Sequence, residues 1–106
     1  MPMTVIVTRD VAYRIRGFLA SCMLEIAPGV YTAPKMNRSV RIRIWTILED
    51  WFAYTEGGAI VMTWKDKNKE GGQGVEVLGT PPVELKVFDD VILTYRDKHG
   101  DENIST

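Results

Sequence analysis

The sequence predicts an α+β fold with two helices on one face of an antiparallel sheet, and three observations carry that expectation. A β-branched apolar run occupies Met3 to Thr8. Two segments, residues 11–23 and 40–51, repeat apolar side chains at helical spacing. Short apolar runs at 59–64, 75–78 and 91–95, separated by glycine- and proline-bearing breaks, read as strands. The order of strand, helix, short strand, helix and further strands fits a ferredoxin-like βαββαβ sandwich with an additional C-terminal strand. A chain of 106 residues is one domain by size. The domain is expected over 1–96, with 97–106 as a flexible tail or linker remnant.

Each element has its own local signal. The unbroken apolar character of Met3 to Thr8 predicts a buried, central strand. Asp10 is placed to cap the helix that follows. Val11, Ile15, Phe18, Leu19, Cys22 and Met23 form its stripe, and Pro28-Gly29 marks the end of that helical region. Arg14 and Arg16 flank Ile15, so both lie off the buried stripe, in the first turns. Gly29 to Ala33 reads as a short extended piece. Asn37 or Ser39 can cap a second helix with the stripe Val40, Ile44, Ile47, Leu48 and Trp51. Arg38, Arg41 and Arg43 lie away from much of that stripe. Gly57-Gly58 ends the helix. Lys65 to Gly74 reads as a hairpin loop between the strands at 59–64 and 75–78.

Composition bounds the function. Charged residues are 25% and hydrophobic residues 45% of the chain, a balance that excludes disorder. One cysteine and one histidine allow neither an internal disulfide nor a zinc cluster. With no disulfide framework and an N-terminal apolar run too short for a signal peptide or a membrane span, a cytoplasmic protein is expected. The net charge of −1 conceals an asymmetry. Arg9 to Trp45 holds seven basic residues against two acids, and Thr46 to Thr106 six against twelve. A basic first part points to a polyanionic partner.

Few residues can carry chemistry. His99 lies in a polar stretch and Cys22 on an apolar stripe, so neither suits nucleophilic catalysis. Gly71-Gly72-Gln73-Gly74 has no helix after it and reads as a turn. Asp10 is the one acid in a distinctive place, at a strand end beside a helix start. It is either an N-cap or, paired with a second copy across a dimer, a ligand for one Mg²⁺ in a nuclease. The arginines are the stronger signal. Arg14 and Arg16 sit where helix N–H groups and the macrodipole favour anions, and a guanidinium fork matches phosphate oxygens. With Arg38 and Arg41 they form the candidate nucleic-acid contacts, of the backbone type and salt-sensitive.

These residues resemble a known family. Met3, Val5 to Thr8, Val11, Arg14-Ile15-Arg16-Gly17, Leu19-Ala20, Leu24-Glu25, Gly29-Val30-Tyr31, Ile44-Trp45 and Val61-Met62 stand in the order found in the CRISPR-associated Cas-two protein of the type I-E subtype. Pro82-Val83-Glu84-Leu85 and the last strand continue the likeness. The resemblance implies a ferredoxin-like fold and a homodimer that bridges dimers of the Cas-one integrase. It implies capture of a double-stranded prespacer DNA for insertion into the CRISPR array. Arg14 and Arg16 would contact the duplex backbone. Val83, Glu84, Leu85, Val91, Leu93 and Tyr95 would dock on the integrase. The resemblance implies no catalytic residue and no cofactor for this adaptor role, because the metal site belongs to the partner. The alternative is a Mg-dependent endonuclease, acting on RNA or DNA through Asp10. Three departures stand out. Arg9 occupies the position where this subtype carries its acid, Gly79-Thr80 replaces a basic pair, and the chain runs on past Lys98.

Overall fold

The computed structural model describes residues 2–55 and 57–79 in full, together with the backbone of Glu84–Phe88 and Val91–Tyr95. The elements are β1 (Thr4–Arg9), α1 (Tyr13–Cys22), β2 (Leu24–Ala27), β3 (Val30–Ala33), α2 (Arg38–Phe52), β4 (Ala59–Lys65), β5 (Gln73–Gly79), β6 (Glu84–Phe88) and β7 (Val91–Tyr95). The first five strands make one sheet in the order β2-β3-β1-β4-β5, and every neighbouring pair is antiparallel. The β2-β3-β1-β4 part is the ferredoxin-like order, with β5 added at its edge. Strands β6 and β7 pair with each other, from Glu84 opposite Tyr95 to Phe88 opposite Val91.

The core lies between the sheet and the two helices. Ile6 on β1 sits opposite Tyr31 on β3 and Met62 on β4. All three are buried, beneath Ile15 and Leu19 of α1 and Ile44 and Leu48 of α2. Burying each such side chain contributes about 1.5–3 kcal/mol. Asn37 caps α2, its side chain accepting the Val40 N–H at 2.9 Å. Thus Asn37, rather than Ser39, does the capping.

Four expectations need correction. First, the segment before Pro28 is not helical throughout. α1 stops at Cys22, and residues 24–27 form a strand that returns through a two-residue turn at Pro28-Gly29. Second, Asp10 does not cap α1. The cap position is Ala12, without a side-chain hydrogen bond, and Asp10 has φ +52. Third, Cys22 is exposed, its Sγ 3.4 Å from the Phe18 carbonyl. Fourth, β1 is central but not buried on both faces. The face away from the helices carries Val30, Val7, Val61 and Val77 in one row across four strands. Val7 and Val77 remain 42% exposed there.

The β2–β3 turn is fastened to the end of β1. The Gly29 carbonyl accepts the Thr8 N–H at 2.7 Å and the Thr8 hydroxyl at 3.0 Å. Gly29 has φ +78, and a Cβ there would stand 2.9 Å from the Thr8 carbonyl oxygen. Among the described residues, no helix is long and apolar enough to cross a membrane.

These contacts set apart two glycines. Gly29→Ala combines left-handed strain with a backbone clash and should destabilise by about 1–3 kcal/mol. Gly17 lies inside α1 with nothing within 4 Å of an added Cβ. Gly17→Ala should therefore stabilise by about 0.5–1 kcal/mol. Urea denaturation of the two variants measures both signs.

Candidate nucleic-acid interface

Arg14 and Arg16 are two residues apart on α1, so about 200° separates them around the helix axis. Ile15 between them points into the core and is 1% exposed. The two guanidinium groups consequently leave α1 on opposite flanks. Arg14 reaches α2, where its Cζ lies 4.0 Å from the centre of the Trp51 ring. Phe18, one turn along from Arg14, meets the same ring edge-on, with centroids 5.3 Å apart. The i, i+4 pair Arg14 and Phe18 thus clasps one indole from α2.

Arg16 turns the other way, toward the β2–β3 hairpin. Its Nη2 lies 3.6 Å from Oε2 of Glu25 on β2. The same Oε2 accepts the Gly29 N–H at 3.0 Å. Glu25 pairs across the hairpin with Tyr31. The Tyr31 side chain is fully buried, and its hydroxyl approaches Arg16 and Glu25 without a hydrogen bond of good geometry. This setting holds the guanidinium pKa above its ordinary value, through the Tyr31 hydroxyl first and Glu25 after it. The Gly29 N–H, followed by Tyr31 and Arg16, holds the Glu25 carboxyl below its ordinary range.

A cleft of about 380 Å³ opens beside Arg16, lined also by Thr8, Asp10, Tyr13 and Gly29. Tyr13, the first residue of α1, is 87% exposed. The helix start has neither a side-chain cap nor an acid in its first turn. Its free N–H groups and the nearby guanidinium favour an anion. Asp10 lies in the same cleft, its side chain 83% exposed and 3.9 Å from the Nε of Arg9. Its left-handed backbone is tolerated by Asp better than by most residues. It also packs tightly, since a Cβ on Gly58 would lie 2.6 Å from the Asp10 carbonyl oxygen. Among the described residues, no three His, Cys, Asp or Glu side chains converge as a metal site. A metal site built on Asp10 would draw its other ligands from outside these residues.

Arg38 and Arg41 do not join this cleft. They lie at the start of α2, and Arg41 stacks on Trp64 of β4, with Cζ 4.0 Å from the ring centre. Burial lowers the pKa of Arg41, partly offset by Asp66. Both arginines line a second, larger groove of about 770 Å³, where they and Lys65, Lys67 and Lys69 outnumber the acids Glu49, Asp66 and Glu76. From Arg41 to Trp51, the landmark for Arg14, α2 rises by about 15 Å. The candidate contacts therefore form two basic stations at opposite ends of the helical layer. Val83 lies outside the described residues, as do the side chains of Glu84, Leu85, Val91, Leu93 and Tyr95 and the whole of 97–106.

Sequence reasoning missed Glu25, Tyr31, Trp51 and Trp64 as partners of the arginines. Reading Pro28-Gly29 as a two-residue turn would set Ile26 opposite Tyr31 and Glu25 opposite Thr32. The register shift between Glu25 and Ala27, which no sequence signal announces, brings Glu25 opposite Tyr31 instead.

The depressed Glu25 carboxyl makes a pH prediction. Its ionised form is favoured by folding, so its contribution is complete above the ordinary glutamate range and is lost as pH falls through and below that range. Denaturation at neutral pH should find the wild type more stable than Glu25→Gln, and the gap should close in acid.

One comparison with known proteins bears on this geometry. The family described as CRISPR-associated protein (Cas_Cas2CT1978) matches residues 3–93. The match runs through every strand and both helices up to β7, including both arginines, the β2–β3 hairpin and the strands of the sheet. With nearly the whole folded chain matched, the protein belongs to the CRISPR-associated Cas2 family.

Proposed function

We propose that this chain is a non-catalytic, homodimeric adaptor of CRISPR spacer acquisition, of the type I-E kind. It works in the cytoplasm, bridges dimers of the Cas-one integrase and holds the backbone of a double-stranded prespacer. The observation that carries the reading is the pair of pre-positioned guanidinium groups at the start of α1. Arg14 is braced by Trp51 and Arg16 by Glu25, beside an uncapped helix N-terminus. Such groups neutralise phosphates without reading bases. The second station, at Arg38 and Arg41, stands about 15 Å further along α2, a distance of four to five phosphate steps of one strand. A duplex backbone is long enough to meet both stations, whereas a mononucleotide is not.

The dimer has its own support. The valine row on the open sheet face is an apolar strip left in contact with solvent. A domain of this size has a thin core, and covering that face with a second copy would bury further apolar area. Residues 82–95 are assigned to integrase docking on the family likeness alone. A Mg-dependent nuclease is the second reading, favoured by the place of Asp10 in the Arg16 cleft.

Duplex binding measured across a salt series should weaken about tenfold for Arg14→Ala or Arg16→Ala, irrespective of sequence, and the log–log salt slope should fall by about 0.9 for each arginine removed. Asp10→Ala should leave integration by the assembled complex unchanged. Chelator-sensitive cleavage by the purified protein, lost in Asp10→Ala, would replace the adaptor with the nuclease. For the dimer, Val7→Asp should give a folded monomer in analytical ultracentrifugation. An unchanged oligomeric state would move the interface elsewhere.

A further inference from the structure

Glu25 is the unexpected group in this interface: a carboxylate set directly against an arginine proposed to hold phosphate. Long-range electrostatics alone makes it a liability, because a negative charge there repels a polyanion. Yet the carboxylate is firmly placed. Its Oε2 takes the Gly29 N–H at 3.0 Å, and Gly29 is in turn tied to the end of β1 by its carbonyl, through the Thr8 N–H and hydroxyl. Tyr31, facing Glu25 across the hairpin, closes the other side with a fully buried ring. The Glu25 carboxylate is therefore anchored on the edge strand of the sheet, and Arg16 Nη2 rests 3.6 Å from it.

We infer that Glu25 is a positioning residue for the phosphate contact made by Arg16. The inference rests on the backbone-binding reading above. A guanidinium has five donors in a planar fork, and the carboxylate engages only the Nη2 side. The donors that face neither Glu25 nor the Tyr31 hydroxyl are left for a phosphate on the other edge. A free arginine side chain must be ordered when it binds, at a cost of about two- to twelvefold in affinity. Glu25 and Tyr31 meet that cost in advance. Repulsion between Glu25 and a phosphate on the far edge is screened by the guanidinium between them and by salt. Pre-ordering thus outweighs repulsion, and removing the negative charge weakens the binding of a polyanion.

That sign is the test. Glu25→Gln keeps an acceptor oxygen for the Gly29 N–H, so the turn survives, while the ion pair to Arg16 is lost. Affinity for a synthetic DNA duplex is measured for four full-length proteins, the wild type, Glu25→Gln, Arg16→Ala and the double variant, at two salt concentrations. The expected result is a loss of about threefold or more for Glu25→Gln in the wild-type background. In the Arg16→Ala background the same change should cause no loss, or a slight gain. Tighter binding by Glu25→Gln overturns the inference, since repulsion then dominates. An equal loss in both backgrounds also overturns it, since Glu25 then acts only by holding the hairpin. If Arg16→Ala itself leaves affinity unchanged, the phosphate contact fails and this inference fails with it. In every case circular dichroism of the four proteins establishes that they share one fold.

Discussion

The fastening of Gly29 to Thr8 organises this molecule. It is the point where the β2–β3 turn, the end of the central strand and the approach to α1 meet. The Gly29 carbonyl is held by β1 and its N–H by Glu25, so one residue satisfies both backbone groups through two different strands. The left-handed φ of +78 required there follows Pro28, and the pair makes the tight return that sets β2 against β3. β1 is the central strand, paired on both sides, and its end carries the Gly29 turn. Through Glu25 that anchorage extends to Arg16.

The proposed interface follows from how α1 sits on this base. One helical turn with a buried isoleucine between two arginines divides the arginines between two supports. Arg14 is carried by the second helix through Trp51, and Arg16 by the sheet edge through Glu25. Neither support alone would fix both side chains. The interface is thereby sensitive to the packing of α1 against α2 and, separately, to the hairpin. A similar logic recurs at the other end of α2, where Arg41 lies on Trp64. Arginine on a tryptophan face keeps its charge and its fork while losing freedom of movement, which would suit the phosphate contact proposed for it.

Much of this was legible in the chain, and the omissions have physical causes. Strand β1, helix α2 and strand β4 follow from apolar periodicity, and the antiparallel sheet with its helical layer follows from their order. The outward placement of Arg14 and Arg16 is a consequence of 100° per residue and a buried Ile15. Strand β2 was hidden because Cys22, Met23 and Ile26 extend the helical stripe of α1. Only pairing with β3, a contact made in three dimensions, decides that the segment extends. The failure of Asp10 as a cap has a related cause. The chain needs a left-handed residue to turn from β1 into α1, and Asp10 takes that conformation two positions before the cap at Ala12. The aromatic supports lay out of reach because Trp51 and Trp64 come from elements distant in sequence. The separation of Arg38 and Arg41 from the first pair was invisible for the same reason.

The central claim is that the start of α1 presents two braced guanidinium groups to a nucleic-acid backbone. The most direct measurement is nuclear magnetic resonance of the arginine Nε–H groups during titration with a DNA duplex. The account predicts that the Arg14 and Arg16 signals are sharp before DNA is added, as befits ordered side chains, and shift together as the duplex binds. Signals of free, averaged arginines before titration, or shifts confined to other arginines, would contradict it.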